Sequence, residues 1–250
     1  MTKKSLFIAY VVSLGGFLFG FDAGIISGVM SYVGPEFNLN DIFPFATHLS
    51  TSIDQSLFIS SQLIQPDLFI RAIKGAEQKL EVYLNKAQIP FQKKEFCYRL
   101  PNAAKLLNTE YLFEVQDQSS QYTANYFQPK PKQMWWDCCA ASGGKSILIK
   151  DRFPVAQLTV SDIRASILNQ LKNRLRDAAV ATHQVEQLDL EKKGSVPSSF
   201  LFDLVVADVP CTGSGTWGRT PEERIYFTPD QLEQYVAKQK KILSHLTTTI

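Results

Sequence analysis

The sequence predicts an α/β protein whose second half is a doubly wound parallel sheet. Three observations carry this. From residue 133 onward, short apolar runs alternate with helical patterns, the order that builds a parallel sheet with crossover helices. Acids close the strand-like runs, at Asp137, Asp162, Asp189 and Asp208, and Gly143 and Gly144 follow the first of them. Ahead of this half lie a small α+β segment and, before it, a hydrophobic leader. The boundaries fall at residues 1–41, 42–110 and 111–250.

The leader opens with Lys3 and Lys4 and then runs uncharged for seventeen residues, Ser5 to Phe21, before Asp22 interrupts it. Continued to Tyr32, it is long enough to cross a bilayer as a helix, which takes ~20 residues. Gly16, Gly20, Gly24 and Gly28 line one helical face with small residues, which lets a second membrane helix approach closely. The stretch GGFLFGFDAGIISG resembles the first transmembrane helix of major facilitator superfamily sugar porters. That resemblance places Asp22 on a transport pathway, but a lone helix encloses none, so transport is not expected. Membrane association through residues 5–32 is one reading of the leader; a secretory signal and a foreign segment fused to the rest are two others.

In the α+β segment, HLSTSIDQSLFISSQLIQP reads as short helices and a polar loop, DLFIRAI as a strand and FQKKEFCYRL as a second strand. Between them AEQKLEVYLNKA has Ala76, Leu80, Tyr83, Leu84 and Ala87 at helical spacing. In the second half QMWWDCCAA is a strand that ends in a turn at Ser142–Gly144, and AQLTVSD is the next. IRASILNQLKNRLRDAAV follows as a long helix with Ile163, Ile167, Leu171 and Leu175 on one side. HQVEQLDL and SFLFDLVVAD are two further strands. The last is nearly all apolar, as in a strand covered on both faces. Thr228-Pro229-Asp230-Gln231 opens the final helix, with Thr as N-cap, Pro at the first position and Gln closing a capping box. Leu232, Tyr235, Val236, Ile242, Leu243 and Leu246 are its apolar positions.

Composition narrows the function classes only a little. A net charge of +2 over 250 residues creates no global field that would by itself select nucleic acid. Cys97, Cys138, Cys139 and Cys211 form no CxxC pair and no ligand spacing with the three histidines, so no metal is expected. A reducing cytoplasm suits these thiols.

The strand-end acids suggest a ligand rich in donors. In open α/β sheets ligands lie beyond the carboxyl ends of the strands, where strand order reverses. Asp162 stands 25 residues after Asp137, near the ~20-residue offset at which an acid takes a ribose hydroxyl. The Gly143–Gly144 pair lacks both the GxxxxGK[ST] and the GxGxxG pattern, so an adenosyl cofactor without phosphates fits better there than a nucleotide. Gly-Gly turns and strand-end acids are each as often structural as functional, and their joint placement carries the weight.

WDCCAASGGKS, VSDIRASILNQLKNRL, QLDL and ADVPCTGSGTWGRTPE, with EVQDQSSQ upstream, resemble the RsmB/NOP family of RNA cytosine-5 methyltransferases from about Phe43 to the C-terminus. Ser142 stands where relatives often carry proline. The resemblance implies a Rossmann-like methyltransferase domain and S-adenosyl-L-methionine as methyl donor. It assigns the donor to Cys139, Ala140, Ala141, Ser142, Gly143, Gly144 and Lys145, together with Asp162, Asp189 and Asp208. It implies an RNA substrate, ribosomal before others, and a cytoplasmic setting. Lys130, Lys132, Lys145, Arg152 and Arg219 are candidates for phosphate contact, or for an ordinary solvated face.

Carbon 5 of cytosine is a poor nucleophile until a thiolate adds to carbon 6, so covalent catalysis by cysteine is the expected chemistry. Such a thiol needs a lowered pKa, and the base must leave its stack. By resemblance Cys211, with Asp208 in the same motif, is catalytic as the helper in product release. The nucleophile belongs to a TCS-like motif expected beyond KKILSHLTTTI. The methyltransferase domain is therefore read as incomplete at its C-terminus, its fourth strand an open edge and its activity impaired. A non-catalytic cofactor- or RNA-binding protein and a membrane-anchored fragment are the alternatives.

Overall fold

A computed structural model describes residues 51–246, apart from 62–63, 108–109, 129, 183, 197–200, 221–222 and 224–225. The leader, with its transmembrane and sugar-porter readings, lies outside the described residues. None of the helices among the described residues is long and apolar enough to cross a membrane. The chain divides into two compact units, one of residues 67–210 with 237–250 and one of residues 1–66 with 211–236.

In the larger unit, β1 (Leu68–Ala72), β2 (Gln92–Lys94), β3 (Cys97–Leu100) and β4 (Phe113–Val115) form an antiparallel sheet in the order β2-β3-β1-β4. FQKKEFCYRL is thus two strands rather than the one expected. The chain reverses at Glu95 and Phe96, with Glu95 at φ 56°, and Lys94 pairs with Cys97. No glycine or asparagine marks that turn, which is why the pattern reads as continuous. Helix α2 (Glu77–Lys86), the second helix among the described residues, buries Leu80 and Leu84 one turn apart. They pack with Ile70, Ala72, Tyr98, Leu100 and Phe113. Strand β4 lies past residue 110 and pairs with β1 through Ile70↔Val115, Arg71↔Glu114 and Ala72↔Phe113.

After β4 come a short helix, α3 (Gln118–Tyr122), and the parallel sheet. Its strands are β5 (Met134–Asp137), β6 (Gln157–Asp162), β7 (Gln184–Gln187) and β8 (Leu204–Val206), in the order β7-β6-β5-β8. The first of these strands lies inside the sheet, with the second and third on one side of it and the fourth on the other. Strand order therefore reverses between β5 and β8.

Adjacent tryptophans show the covering of both faces, because successive strand residues point to opposite sides. Trp135 packs with Ile147 and Ile149 of α4 (Gly144–Arg152) and with Leu168, Leu171 and Leu175 of α5 (Ala165–Asp177). Trp136 packs with Phe202 and with Ile242 and Leu246 of α6 (Pro229–Leu246). The fold is therefore the doubly wound, Rossmann-like sheet that the sequence predicts, preceded by a small α+β part.

Three sequence expectations are corrected in detail. The buried side of α5 is Leu168, Leu171 and Leu175, whereas Ile163 precedes the helix and is 49% exposed. Residues 204–206 alone of SFLFDLVVAD form a strand among the described residues. Phe202 instead stacks on Trp136 with centroids 5.1 Å apart, and Asp203 meets Met134 twice, its N–H donating to the Met134 carbonyl at 2.9 Å and its carboxylate accepting the Met134 N–H at 2.7 Å. In α6, Val236 and Leu243 are exposed, and burial centres on Ile242 and Leu246. The capping box does close, for the Thr228 N–H donates to Gln231 Oε1 at 2.7 Å.

In the smaller unit, α1 (Gln55–Ser61) is capped by Asp54, whose carboxylate accepts the Leu57 N–H at 2.9 Å. Trp217 is buried, with its ring 5.2 Å from that of Phe227. A Cβ at Gly218 would sit 2.7 Å from the Ile64 carbonyl, so two backbones meet there as only glycine permits.

Candidate cofactor site

The site grows from the carboxyl end of β5. Past Asp137 the chain continues the sheet briefly, with the Cys138 N–H donating to the Val206 carbonyl and the Ala140 N–H to the Ser161 carbonyl. It then turns through Ala141 (φ 47°) and Gly143 (φ 90°) into α4. A Cβ at Gly143 would lie 2.4 Å from Leu171 Cδ1, so the turn packs directly on α5. The Asp162 carboxylate supports it from β6 by accepting the Ala141 N–H at 3.0 Å.

A cavity of about 250 Å³ opens beside this turn. Cys139, Ala140, Ala141, Ser142, Gly144 and Lys145 line one part of it, Gln116, Asp117 and Ser120 another, and Asp137 and Asp208 the rest. It sits where β5 and β8 end, at the reversal of strand order, the place where such sheets take their ligands. Lys145 Nζ donates to the Asp208 carboxylate at 2.6 Å.

The structure therefore brings seven of the expected residues onto one cavity: Cys139, Ala140, Ala141, Ser142, Gly144, Lys145 and Asp208. Gly143, Asp162 and Asp189 are not among its lining. Gly143 backs onto Leu171. Asp162 is engaged by Arg164, whose Nε and Nη2 donate to its two oxygens at 3.0 and 3.1 Å. Burial pushes the Asp162 carboxyl up, but these bonds and those from the Arg164 and Ala141 amides outweigh it and hold it below the usual range. Asp189 accepts the Glu191 N–H and lies 3.5 Å from Lys192 Nζ. Cys211 falls in the smaller unit and is exposed.

Four lining residues carry no assigned role in the sequence reading. Gln116, Asp117 and Ser120 stand in EVQDQSSQ, and only tertiary contact gives them a place. Arg71 Nε donates to Gln116 Oε1 at 3.2 Å from 45 residues away. Asp137 is the strand-end acid of β5 and is wholly buried. Its Oδ2 accepts the Ser146 hydroxyl at 2.6 Å, while its Oδ1 has no partner. Arg152, a candidate for phosphate contact, is committed elsewhere. It donates to the Ala72 carbonyl at 3.0 Å and stacks on Phe96 at 4.2 Å. Among the described residues no group of three or more His, Cys, Asp or Glu could hold a metal ion.

Burial is the main cause that raises the Asp137 carboxyl from the usual 3.8 to about 6. Folding thus favours its neutral form, so its contribution to stability is full below pH ~4 and is lost as pH rises through ~6. Asp137→Asn is expected to shed that loss, gaining roughly 1–3 kcal/mol over wild type at pH 7 and little at pH 4. Urea unfolding of both proteins across this range measures it. A difference that does not change with pH would show that Asp137 is ionised without penalty.

A parallel sheet with this strand order and a cavity at its reversal defines a Rossmann-like domain. Residues 124–250 match the family model described as 16S rRNA methyltransferase RsmB/F, and the chain belongs to that family. It is 29% identical over 137 residues to the probable ribosomal RNA small subunit methyltransferase B of Synechocystis, and 28% identical over 140 residues to that of Bacillus subtilis. Each match covers 54% of this chain and 31% of the relative, so the chain spans about a third of the length of the curated relatives it matches. The fold is that of NSun6 from Pyrococcus horikoshii, whose crystal structure is with SFG. That comparison has a TM-score of 0.68 and 13% identity, over 85% of this chain and 78% of the other.

Proposed function

We propose that the chain binds S-adenosyl-L-methionine in the cavity beside α4, as part of an enzyme that methylates carbon 5 of a cytosine in RNA, ribosomal RNA before others, in the cytoplasm. The observation that carries this reading is the lining itself, in which the turn after β5, the start of α4 and Asp208 after β8 share one hollow. The residues suit the group. Asp137 Oδ1 is a buried acceptor without a partner, and the Asp208 carboxylate is a second, half-exposed acceptor held by Lys145. Both match a donor such as the ammonium of a methionine moiety. The first amides of α4 offer free N–H groups to its carboxylate. The family membership, the names of the relatives and the SFG of the NSun6 structure, an analogue of S-adenosylmethionine, support the same cofactor.

When bound, the cofactor supplies an electrophilic methyl group. Asp137, Asp208 and the turn residues would bind and orient it, with Gly144 allowing close approach. Asp162 and Asp189 would serve the adenosine half from outside the cavity lining, and for Asp162 this requires Arg164 to release an oxygen. Cys211, an exposed thiol, would assist release of the methylated base, as the family resemblance implies.

Titration calorimetry with S-adenosylmethionine tests the reading. One-to-one binding is expected, with Lys145→Ala and Asp208→Asn each weakening it about tenfold, or ~1.4 kcal/mol. Absence of both heat and thermal stabilisation on addition of the cofactor would overturn it. Transfer of labelled methyl to RNA would separate an enzyme from a protein that only binds.

A further inference from the structure

The turn that lines the cavity is costly to hold. Ala141 is a non-glycine residue in the left-handed region at φ 47°, and Gly143, two residues on, is at φ 90°. Glycine takes a positive φ freely, but an alanine stays there only where the surroundings enforce it. Ser142 lies between the two, where the family resemblance would place a proline. A proline ring fixes φ by itself, and a serine brings no such restraint.

Another side chain meets Ser142 instead. Arg174 of α5, 32 residues away, donates from Nη1 to the Ser142 carbonyl at 2.7 Å and to its hydroxyl oxygen at 2.8 Å. Its Nη2 is anchored in turn on Glu114 of β4. Glu114 is itself buried and accepts the Tyr111 hydroxyl. The guanidinium is therefore fixed at one end by an ion pair on the antiparallel sheet, and its other end grips the turn. Asp162 holds the preceding residue from the opposite strand. Among the described residues no backbone bond is made by the Ser142 N–H, so the carbonyl and hydroxyl are the handles by which this residue is held.

We propose that Arg174 is the positioning residue of the cofactor turn, holding Ser142 in the geometry that binds the donor and tying that geometry to Glu114 of the antiparallel sheet. The inference deepens the cofactor reading and rests on it. A planar fork suits the task, because its nitrogens can serve two partners at once in a fixed geometry, which the single ammonium of lysine cannot do. The hydroxyl matters as well as the carbonyl. Alanine at Ser142 would keep one of the two bonds, and glutamine at Arg174 would lose both and leave Glu114 without its cation.

A double-mutant cycle over Arg174→Gln and Ser142→Ala tests the proposal on two readouts, S-adenosylmethionine affinity and amide hydrogen exchange over residues 140–145. Arg174→Gln is expected to weaken binding about tenfold and to quicken exchange in the turn. Ser142→Ala should weaken it about threefold in the wild-type background and not at all beside Arg174→Gln, since the bond it removes is already gone. Arg174→Lys should fall between wild type and Arg174→Gln. Affinity within twofold of wild type in folded Arg174→Gln, with unchanged exchange, would overturn the proposal, and so would strict additivity of the two changes. If Arg174→Gln does not fold, Ser142→Ala and Arg174→Lys, which keep the ion pair, decide by the same two readouts. Should the wild-type protein bind no S-adenosylmethionine, the cofactor reading fails while exchange over residues 140–145 still decides whether Arg174 holds the turn.

Discussion

Asp151→Ala is expected to cost about 3–5 kcal/mol of stability, the usual loss when one partner of a buried ion pair is removed. Asp151 on α4 is paired with Arg71 of β1, and the Arg71 side chain has no exposed surface at all. Burial pulls the Arg71 pKa below its ordinary value, and the Asp151 charge is the main influence opposing that. One guanidinium nitrogen, Nη2, already lacks a partner. Without Asp151 the cation would be left in the interior with Gln116 Oε1, at 3.2 Å, as its side-chain acceptor. The Lys74 N–H, which donates to Asp151 at 2.9 Å, would lose its acceptor too.

Urea unfolding should show a lower midpoint with an unchanged slope. Asp151→Asn keeps an acceptor but no charge, and its loss should be intermediate. Raising salt should leave the wild type nearly unaffected, because a buried pair is poorly screened. A loss under 1 kcal/mol for Asp151→Ala would show that Arg71 finds water or another partner. Since Arg71 also holds Gln116, a wall of the cavity, the folded fraction of Asp151→Ala should bind S-adenosylmethionine more weakly as well.

Gly143→Ala is the second large effect, expected at about 2–5 kcal/mol. Two causes add. A Cβ at φ 90° costs ~1–2 kcal/mol through the backbone alone. It would also lie 2.4 Å from Leu171 Cδ1, and forcing an extra carbon into a packed core costs ~1–3 kcal/mol. Leu171 is fully buried, so it has little room to give way. Leu171→Ala separates the two causes. Alone it should cost ~2–5 kcal/mol as a cavity, but beside Gly143→Ala it should cost distinctly less, because it removes the atom that clashes. Thermal or urea unfolding of the four proteins measures this coupling. Additivity within 0.5 kcal/mol would mean that the turn moves away from α5 at no cost.

Much of the architecture was readable because it depends on local pattern. Leu80 and Leu84 repeat at helical spacing, and Trp135 and Trp136 sit in an apolar run too short for a helix. Thr228 and Gln231 stand three apart, as a capping box requires. Where local signals were weak or misleading, the reading slipped. The Glu95–Phe96 reversal carries no turn residue. Ile163 and Ile167 were as apolar as Leu168, and only the packing against β6 decided which side of α5 turned inward. Phe202 and Asp203 looked like more strand until Trp136 and the Met134 amide claimed them.

The site divided along the same line. The turn after β5, the glycine pair and the acid after β8 are neighbours in motif or in strand topology, so chain order is enough to bring Cys139 to Ser142, Gly144, Lys145 and Asp208 to one cavity. Chain order by itself determined the family motifs, the alternation that winds the sheet, and the acids at its strand ends. Tertiary structure alone decided that Asp162 holds the Ala141 amide, that Asp137 is buried with a free oxygen, and that Gln116 lines the cavity under the hold of Arg71. It also decided that Arg174 reaches back across 32 residues to Ser142. Hydrogen bonds and desolvation act over a few ångströms of space, and residues far apart in the chain come within that range only once the chain has folded.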